Sequence, residues 1–375
     1  MKRIVFITGT RADYGKIKPL IKCVEASNSF EAYIYVSGMH LLEMFGNTYE
    51  EIIKDGYKNI QIAYGLANTR DAGYDVGDVI CNFTGYVRKI KPDMIVVHGD
   101  RIDALAGAIV GALSNIIVAH IEGGEISGTI DESIRHAISK FAHIHFVSNE
   151  KAKKRLLQLG EDSNRIFVIG SPDIDVMISK NLPSKKSVME RYDIPFEEYA
   201  ILMYHPVTTE YNIIGENVKN VVDAIIDSGK NYVVIYPNND MGYEIILNEY
   251  RRFEENSRFR VFPSLRFEYF LTLLKNADFI IGNSSAGIRE SSVYGVPAID
   301  IGNRQFGRYS DLDNPNIQHV CDCAAEIKVA IEKVHLFRAG SHAFGEGDSA
   351  SKFMEIINDD SIWNIDFQKQ FHDID

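Results

Sequence analysis

Cysteine is scarce in this chain, and the four residues, Cys23, Cys81, Cys321 and Cys323, are scattered. Cys321 and Cys323 form C-D-C, one residue short of the C-x-x-C spacing, and no second pair completes a zinc site. Reduced thiols are the expectation. Positive charge is also in deficit: 40 Lys and Arg stand against 52 Asp and Glu, a formal net charge of −12. That argues against a broad nucleic-acid surface. An anionic small ligand remains open to it, held by a local cluster of Arg and Lys. Long apolar runs are missing too, and none reaches the ~20 residues needed to cross a bilayer. The opening MKRIVFITGTRADYGK has a basic start, but its apolar run is only strand-length. It ends in Thr-Gly-Thr-Arg, without the small-residue cleavage site of a signal peptide. Low-complexity tracts are absent as well. A soluble cytoplasmic protein with no nucleic-acid or membrane partner is expected.

What is present is ordinary globular material, 45% hydrophobic and 25% charged, in 375 residues. That length is too great for one comfortable core and predicts two domains. Strand candidates in the first half are RIVFIT (3–8), AYIYVS (32–37), MIVVH (94–98), NIIVAH (115–120), HIHFVS (143–148) and IFVIG (166–170). Amphipathic stretches such as KIKPLIKCVEAS and DALAGAIVGALS lie between them. Strands that run apolar without alternation belong to parallel sheets covered on both faces. Residues 171–195, with three prolines, break the rhythm and read as a linker region. Alternation then restarts with AILMYHP (200–206), YVVIYP (232–237), RFRVFP (258–263), DFIIG (278–282) and PAIDIG (297–302). The expected class is α/β, two Rossmann-like domains with a central cleft. The expected boundaries are 1–175 and 176–350, followed by a C-terminal helix within 351–375 that packs back on the first domain. Ligands in such sheets bind beyond the carboxyl ends of the strands.

Five stretches carry candidate chemistry. ITGTRADYGK (7–16) is a strand running through a Gly turn into a helix. Its spacing is one residue too long for a phosphate loop, and Ile17 stands where Ser or Thr would bind magnesium. There is no G-x-G-x-x-G either. Arg11 and Lys16 beside a helix N-terminus suit an anion, and a plain turn with solvated charges is the competing reading. In HGDR (98–101), Asp100 sits at a strand's carboxyl edge, where a catalytic role competes with simple helix capping. Asp103, one step into the helix, is assigned to the helix dipole.

HIEGGEISGTIDESIRH (120–136) is the densest cluster of charge. Thr129 and Glu132 fit a capping box, and Arg135 is within pairing reach of Asp131 one turn away. Glu125 and Glu132 are structural by default, and Asp131 is equally well explained by helix dipole or function. Glu122 differs, because it follows a buried strand with no helix start near it. A carboxylate there, if unpaired, would have a raised pKa, as a general acid or base near neutral pH requires. In MYHPVTTE (203–210), His205 ends the first strand of the second half and is placed to donate to a phosphate. In FIIGNSSAGIRESSVYGVPAIDIGNRQFGR (279–308), a strand runs into Gly-Asn-Ser-Ser-Ala-Gly and a helix. Amides and hydroxyls at that helix start form an anion site without lysine. Glu290, one turn into the helix, is placed to accept from ribose hydroxyls, and Arg304 and Arg308 follow the next strand.

ITGTRADYGK, HGDR, HIEGGE with TIDESIRHAISK, GSPD, HPVTTE, YPNND, FPSLRFEYF and GNSSAGIRE with GVPAIDIGNRQ occur in that order over nearly the whole chain. The set resembles the hydrolysing UDP-N-acetylglucosamine 2-epimerases that open sialic acid biosynthesis. The resemblance implies a glycosyltransferase-B-like fold. It implies a metal-independent conversion of UDP-N-acetylglucosamine and water to N-acetylmannosamine and UDP through a glycal, with no cofactor. Carried over, Asp100, Glu122 and Asp131 are the catalytic carboxylates, with the base and the acid among them unassigned. Arg11, His205, Ser284, Ser285, Glu290 and Arg304 would hold UDP. Arg101 would assist at the diphosphate, Asn238 and Asn239 would touch the nucleotide, and Lys16 would be an extra cation. A homodimer or homotetramer is implied.

Four other readings compete. One is a hydrolysing 2-epimerase acting on a nucleotide-linked 2,4-diacetamido-6-deoxy sugar of the legionaminic acid pathway. A non-hydrolysing epimerase would leave UDP on the sugar. A glycosyltransferase on this scaffold would need an acceptor site but not three carboxylates around one sugar. A catalytically dead UDP-sugar sensor would have lost the carboxylates.

Overall fold

A computed structural model describes residues 1–66, 71–127, 129–309 and 313–372, so Gly128 of the acidic loop lies outside the described residues. The chain divides into two compact units. The first comprises Met1–Glu125, Asp131–Ile178 and Phe344–Asp375, and the second Ile126–Ile130 and Ser179–Ala343.

The first unit contains β1 (Lys2–Thr8), α1 (Arg11–Glu25), β2 (Phe30–Val36), α2 (Tyr49–Lys54), β3 (Ile60–Ile62), α3 (Ala72–Ile90) and β4 (Met94–His98). It continues with α4 (Ile102–Leu113), β5 (Ile117–Ile121), α5 (Ile130–Phe141), β6 (Ile144–Val147), α6 (Glu150–Gln158), β7 (Ile166–Val168) and α7 (Pro172–Met177). Its seven strands are parallel, in the order β3-β2-β1-β4-β5-β6-β7. Every residue of β4, β5 and β6 is buried, which is why these strands read as unbroken apolar runs. One core lies on each face of the sheet, one built around Ile17, Leu20, Ile21 and Phe353, the other around Val79, Phe83, Ala104 and Ala108.

The second unit contains α8 (Lys185–Arg191), β8 (Ala200–Met203), α9 (Ile214–Asp227), β9 (Tyr232–Ile235), α10 (Tyr243–Tyr250), β10 (Phe259–Phe262) and α11 (Phe267–Lys275). Then come β11 (Ile280–Gly282), α12 (Glu290–Tyr294), β12 (Ala298–Ile301), β13 (Ile317–Val320) and α13 (Ala324–Lys333). Its sheet, also parallel, has the order β10-β9-β8-β11-β12-β13. The stretch 171–195 is not a bare linker: it holds α7, with Pro172 in its first turn, and α8, capped by Ser184. Among the described residues no helix is long and apolar enough to cross a membrane.

The chain finishes back in the first unit. Helix α14 (Ser349–Ile357) buries Phe353 in the core shared with α1, and Asp175 of α7 accepts from the amides of Ser349 and Ala350 at 3.0 and 2.8 Å. Beyond it, Trp363 stacks on Phe30. Lys369 then reaches the C-terminal end of α5, donating to the carbonyls of Ser139, Lys140 and Ala142 and to Glu161. Those carbonyls are the ones a helix end leaves unpaired, and a cation suits them. Glu161 also binds His145 at 3.0 Å and Lys140 at 2.8 Å. Burial opposes its charge, but these partners hold its pKa down to about 2.

This arrangement predicts an acid-labile first unit. Burial lowers His40 to about 4 and His120 to about 3, both from 6.5. Their folded pKa values lie below the unfolded ones, so the unfolded chain binds more protons and stability falls as pH drops below 6.5. Glu161, depressed from 4.5, contributes fully above 4.5 and loses its contribution as pH falls towards 2. Urea midpoints measured across pH should decline in those two windows. Lys369→Met should cost about 1–3 kcal/mol at pH 7 by the same measurement.

Candidate active site

The turn between β1 and α1 is fixed from below. Thr10 caps α1 by accepting from the amide of Asp13 at 3.1 Å. A Cβ on Gly9 would stand 2.1 Å from Asp103 Oδ2, so only glycine fits there. Asp103 is buried and accepts from the Ser37 hydroxyl at 2.5 Å, and burial raises its pKa. It supports this turn as well as standing in the first turn of α4. The two cations of the turn are ion-paired within the first unit. Arg11 contacts Glu51 at 2.7 Å, and buried Lys16 lies 3.3 Å from Asp173 of α7. The bare cationic turn suggested by the sequence is therefore replaced by one whose charges already have partners.

The ends of β4 and β5 meet beside it. The Gly99 amide donates to the Ile121 carbonyl at 3.0 Å, and the Glu122 amide donates to Phe146 at 2.8 Å. Glu122 has φ +64, the left-handed region that residues with a Cβ avoid. Such a residue costs of order 1–3 kcal/mol and persists where its surroundings over-determine it. The side chain is buried, only 5% exposed. One carboxylate oxygen accepts from the Ser171 hydroxyl of the GSPD segment. The other lies 3.1 Å from His98 Nε2, an ion-pair contact not aligned as a hydrogen bond. Across the ring, His98 Nδ1 donates to Asp13 at 2.7 Å, and the other oxygen of Asp13 accepts from the Gly9 amide at 3.2 Å. Burial opposes charge on His98, but the Glu122 carboxylate and then Asp13 override it and push its pKa up to about 10. His98 is thus an imidazolium between two carboxylates. The sequence left the pairing of Glu122 open; the fold sets its carboxylate against a hydroxyl donor and an imidazole ring.

Asp100 and Asp131 are connected through Arg135. This guanidinium is 2% exposed and pairs with Asp100 rather than with Asp131, while also donating to the Glu125 carbonyl at 3.0 Å. The expected partnership failed because the side chain points inward from α5, towards the end of β4. Asp131 is half-buried in the first turn of the same helix. Among the described residues the buried Thr129 hydroxyl has no hydrogen-bond partner, so it does not make the capping bond expected of it; Glu132 contacts His136 at 3.4 Å. His120 ties the parts together: its Nε2 donates to the Gly99 carbonyl at 2.8 Å and its Nδ1 lies 3.0 Å from the Ser139 hydroxyl of α5. Arg101 is the residue before α4. Asp100, Glu122 and Asp131 therefore stand on elements joined at the carboxyl ends of β4 and β5.

In the second unit the remaining candidates collect at the carboxyl ends of β8, β9, β11 and β12. Asn283 joins two of these ends: it accepts from the His205 amide at 2.6 Å and donates to the His205 carbonyl at 2.9 Å. Its own carbonyl accepts from Arg304 at 3.2 Å and Gln305 at 2.8 Å. His205 Nδ1 accepts from the Asn238 amide at 3.0 Å, so the proton of the neutral ring sits on Nε2. Asn238 donates onward to Asp240, and Asn239 is the next residue of the same loop. Gly282 has φ +133, and a Cβ there would stand 2.0 Å from the Met203 carbonyl. Ser284 caps a single 3-10 turn, Ser285–Gly287, before α12 begins at Glu290. The helix expected after GNSSAG is there, but as a short turn followed by a five-residue helix, and Glu290 is its buried first residue rather than one turn in.

The sequence reading missed Asp13, His98 and Ser171 around Glu122, Arg135 beside Asp100, and Asn283 and Gln305 in the second unit. Each lies inside a quoted motif, so the motifs were the available signal. Asn283→Ala removes two hydrogen bonds from the His205 backbone. It should lower stability by about 1–3 kcal/mol in chemical denaturation.

This architecture is found in a solved structure. The Methanocaldococcus jannaschii UDP-GlcNAc 2-epimerase in complex with UDP-GlcNAc and UDP superposes with a TM-score of 0.82 at 24% identity, covering 96% of this chain and 99% of that one. The fold is that of the glycosyltransferase-B-like epimerases, two parallel-sheet α/β units. Residues 22–358 match the family described as UDP-N-acetylglucosamine 2-epimerase, and the chain belongs to that family. A UDP-N-acetylglucosamine 2-epimerase of Neisseria meningitidis serogroup B is 45% identical over 100% of both chains. The UDP-N,N'-diacetylbacillosamine 2-epimerase (hydrolyzing) of Legionella pneumophila is 34% identical over 95% of this chain and 96% of its own.

Proposed function

We propose that this protein is a hydrolysing 2-epimerase that converts UDP-N-acetylglucosamine and water to N-acetylmannosamine and UDP, the entry to sialic acid synthesis. The observation that carries the reading is Glu122, a buried carboxylate on a strained strand end beside a cationic histidine. A carboxylate kept ionised in a dry site is a base. In the proposed sequence Glu122 takes the proton from the second sugar carbon. That electron pair forms the double bond of a glycal as the anomeric C–O bond breaks and UDP leaves with its pair. Water then adds at the anomeric carbon, and a proton returns to the second carbon on the opposite face. Asp100 and Asp131 serve departure and hydration.

The departing diphosphate gathers negative charge, which oriented donors stabilise. His205, with its proton on Nε2, is in the form that donates to a phosphate oxygen. Ser284, Ser285 and Arg304 surround the same turn, Glu290 is assigned to the ribose, and Asn238 and Asn239 to the nucleotide. Arg11, Lys16 and Arg101 are assigned to the diphosphate as supporting cations. A homodimer or homotetramer goes with this reading, to be checked by light scattering.

The test is incubation with UDP-N-acetylglucosamine in heavy water followed by NMR. Free N-acetylmannosamine deuterated at the second carbon is expected; UDP-N-acetylmannosamine would mean a non-hydrolysing epimerase, and unchanged substrate would overturn both. Asp100→Asn, Glu122→Gln and Asp131→Asn should each lower turnover by about 10²–10⁴-fold with UDP affinity nearly intact. The Legionella relative, at 34% identity, favours a second reading in which the sugar carries an additional acetamido group. Comparing kcat/KM for the two UDP-sugars decides between them.

A further inference from the structure

The environment of Glu122 goes further than its identity as a base. A carboxylate inside a protein ordinarily drifts towards its neutral form, because burial disfavours charge. Glu122 is buried, yet its two oxygens face a hydroxyl donor and an imidazole ring. That ring reaches across to Asp13, whose second oxygen is held by the Gly9 amide. Asp13 lies on α1 with its side chain only 11% exposed, and stands 85 residues from His98 in sequence. The chain thus brings three separate segments together to make one row: carboxylate, imidazole, carboxylate.

We infer that Asp13 and His98 are positioning residues for the epimerase reaction, which hold Glu122 ionised and aimed and thereby set the pH range over which it works as a base. The inference rests on the assignment of Glu122 above. Neither residue gains or loses a proton in the proposed step. The proton from the sugar passes to Glu122, the electron pair goes to the new double bond, and His98 keeps its own proton throughout.

Other titratable and charged groups stand near the row. His120 of β5 and His40 are kept neutral by burial. Asp103 of α4 faces Asp13 as a further carboxylate, with Arg101 beside it. Arg11 pairs with Glu51. Buried Lys16, further along α1 from Asp13, lies 3.3 Å from Asp173 of α7. His98 is a cation in direct contact with the Glu122 carboxylate, 3.1 Å away.

The sign of each effect follows. Without the imidazolium, Glu122 would be a buried carboxylate close to Asp13, and its pKa would rise. The acid limb of the pH–rate profile, where the base becomes protonated, should move up in His98→Gln by about 1–3 pH units. Asp13→Asn acts on the other side. His98 loses an ionised acceptor and gives up its proton at lower pH, so the alkaline limb should move down. UDP affinity should stay near wild type in both, so the change falls on kcat rather than KM.

The experiment measures turnover of UDP-N-acetylglucosamine against pH for wild type, Asp13→Asn, His98→Gln and Glu122→Gln, with UDP binding by calorimetry and a urea midpoint for each. Opposite displacements of the two limbs support the inference, because a mere loss of folded protein lowers the rate at every pH without moving a limb. Should His98→Gln not fold, the Asp13→Asn profile decides alone. Wild-type limbs in Asp13→Asn overturn the inference while leaving Glu122 as the base. Near-normal turnover in Glu122→Gln instead overturns the assignment on which it rests.

Discussion

Parallel pairing of β1 with both β2 and β4 governs the first unit. The chain winds outward from β1 through β2 to β3, then returns to the other side of β1 and winds outward again through β4 to β7. The loops leaving the carboxyl ends of β1 and β4 therefore run apart, which opens a crevice at that switch point. Asp13 belongs to the helix entered from β1, and His98 is the last residue of β4. Their contact bridges the two strand ends at that point. The second unit repeats the geometry with β8 paired to β9 and β11. There Asn283, just past β11, clamps His205, just past β8. One topological rule thus positions a side-chain bridge at the same point in each sheet.

The two bridges differ in chemistry. In the second unit it is neutral, an amide on a backbone with directional hydrogen bonds. In the first it is ionic, and buried ions are expensive to desolvate. Three groups carry that cost together, two carboxylates around one imidazolium, with the Gly9 amide and the Ser171 hydroxyl satisfying the outer oxygens. A neutral bridge would have served to hold the strands. The ionic one, in addition, sets an imidazole ring against a carboxylate buried away from water.

Much of this was legible in the sequence, for a physical reason. Strands buried on both faces leave apolar runs such as MIVVH and HIHFV, which have few alternative explanations. Edge strands leave weaker traces: β3 is IQI and β13 is IQHV, short and interrupted by polar residues, and neither was anticipated. The candidate carboxylates stood out because they follow buried strands or sit in recognisable motifs. Their partners did not, since pairing is a property of the folded chain. Arg135 has Asp131 one helical turn away, and surface reasoning pairs them, but a side chain turned inward meets Asp100 instead. The Asp13–His98 contact has no local signal, because its members come from different strand ends.

Glu122 is the point at which these constraints converge. The turn after β5 needs a residue with positive φ, and glycines stand immediately behind it at 123 and 124. A glycine at 122 would satisfy the backbone without strain. The chain instead places a long acidic side chain there, accepts the left-handed conformation, buries the carboxylate and surrounds it with an imidazolium and a hydroxyl. None of these choices improves packing or local propensity. Local rules broken at one residue, with compensating partners gathered from three other segments, mark a site shaped by chemistry rather than by folding. The strain also has a mechanical effect: a backbone fixed in that region gives the side chain one direction in which to point. In the proposed reaction, a base that must reach one particular C–H bond needs that restriction as much as it needs its charge.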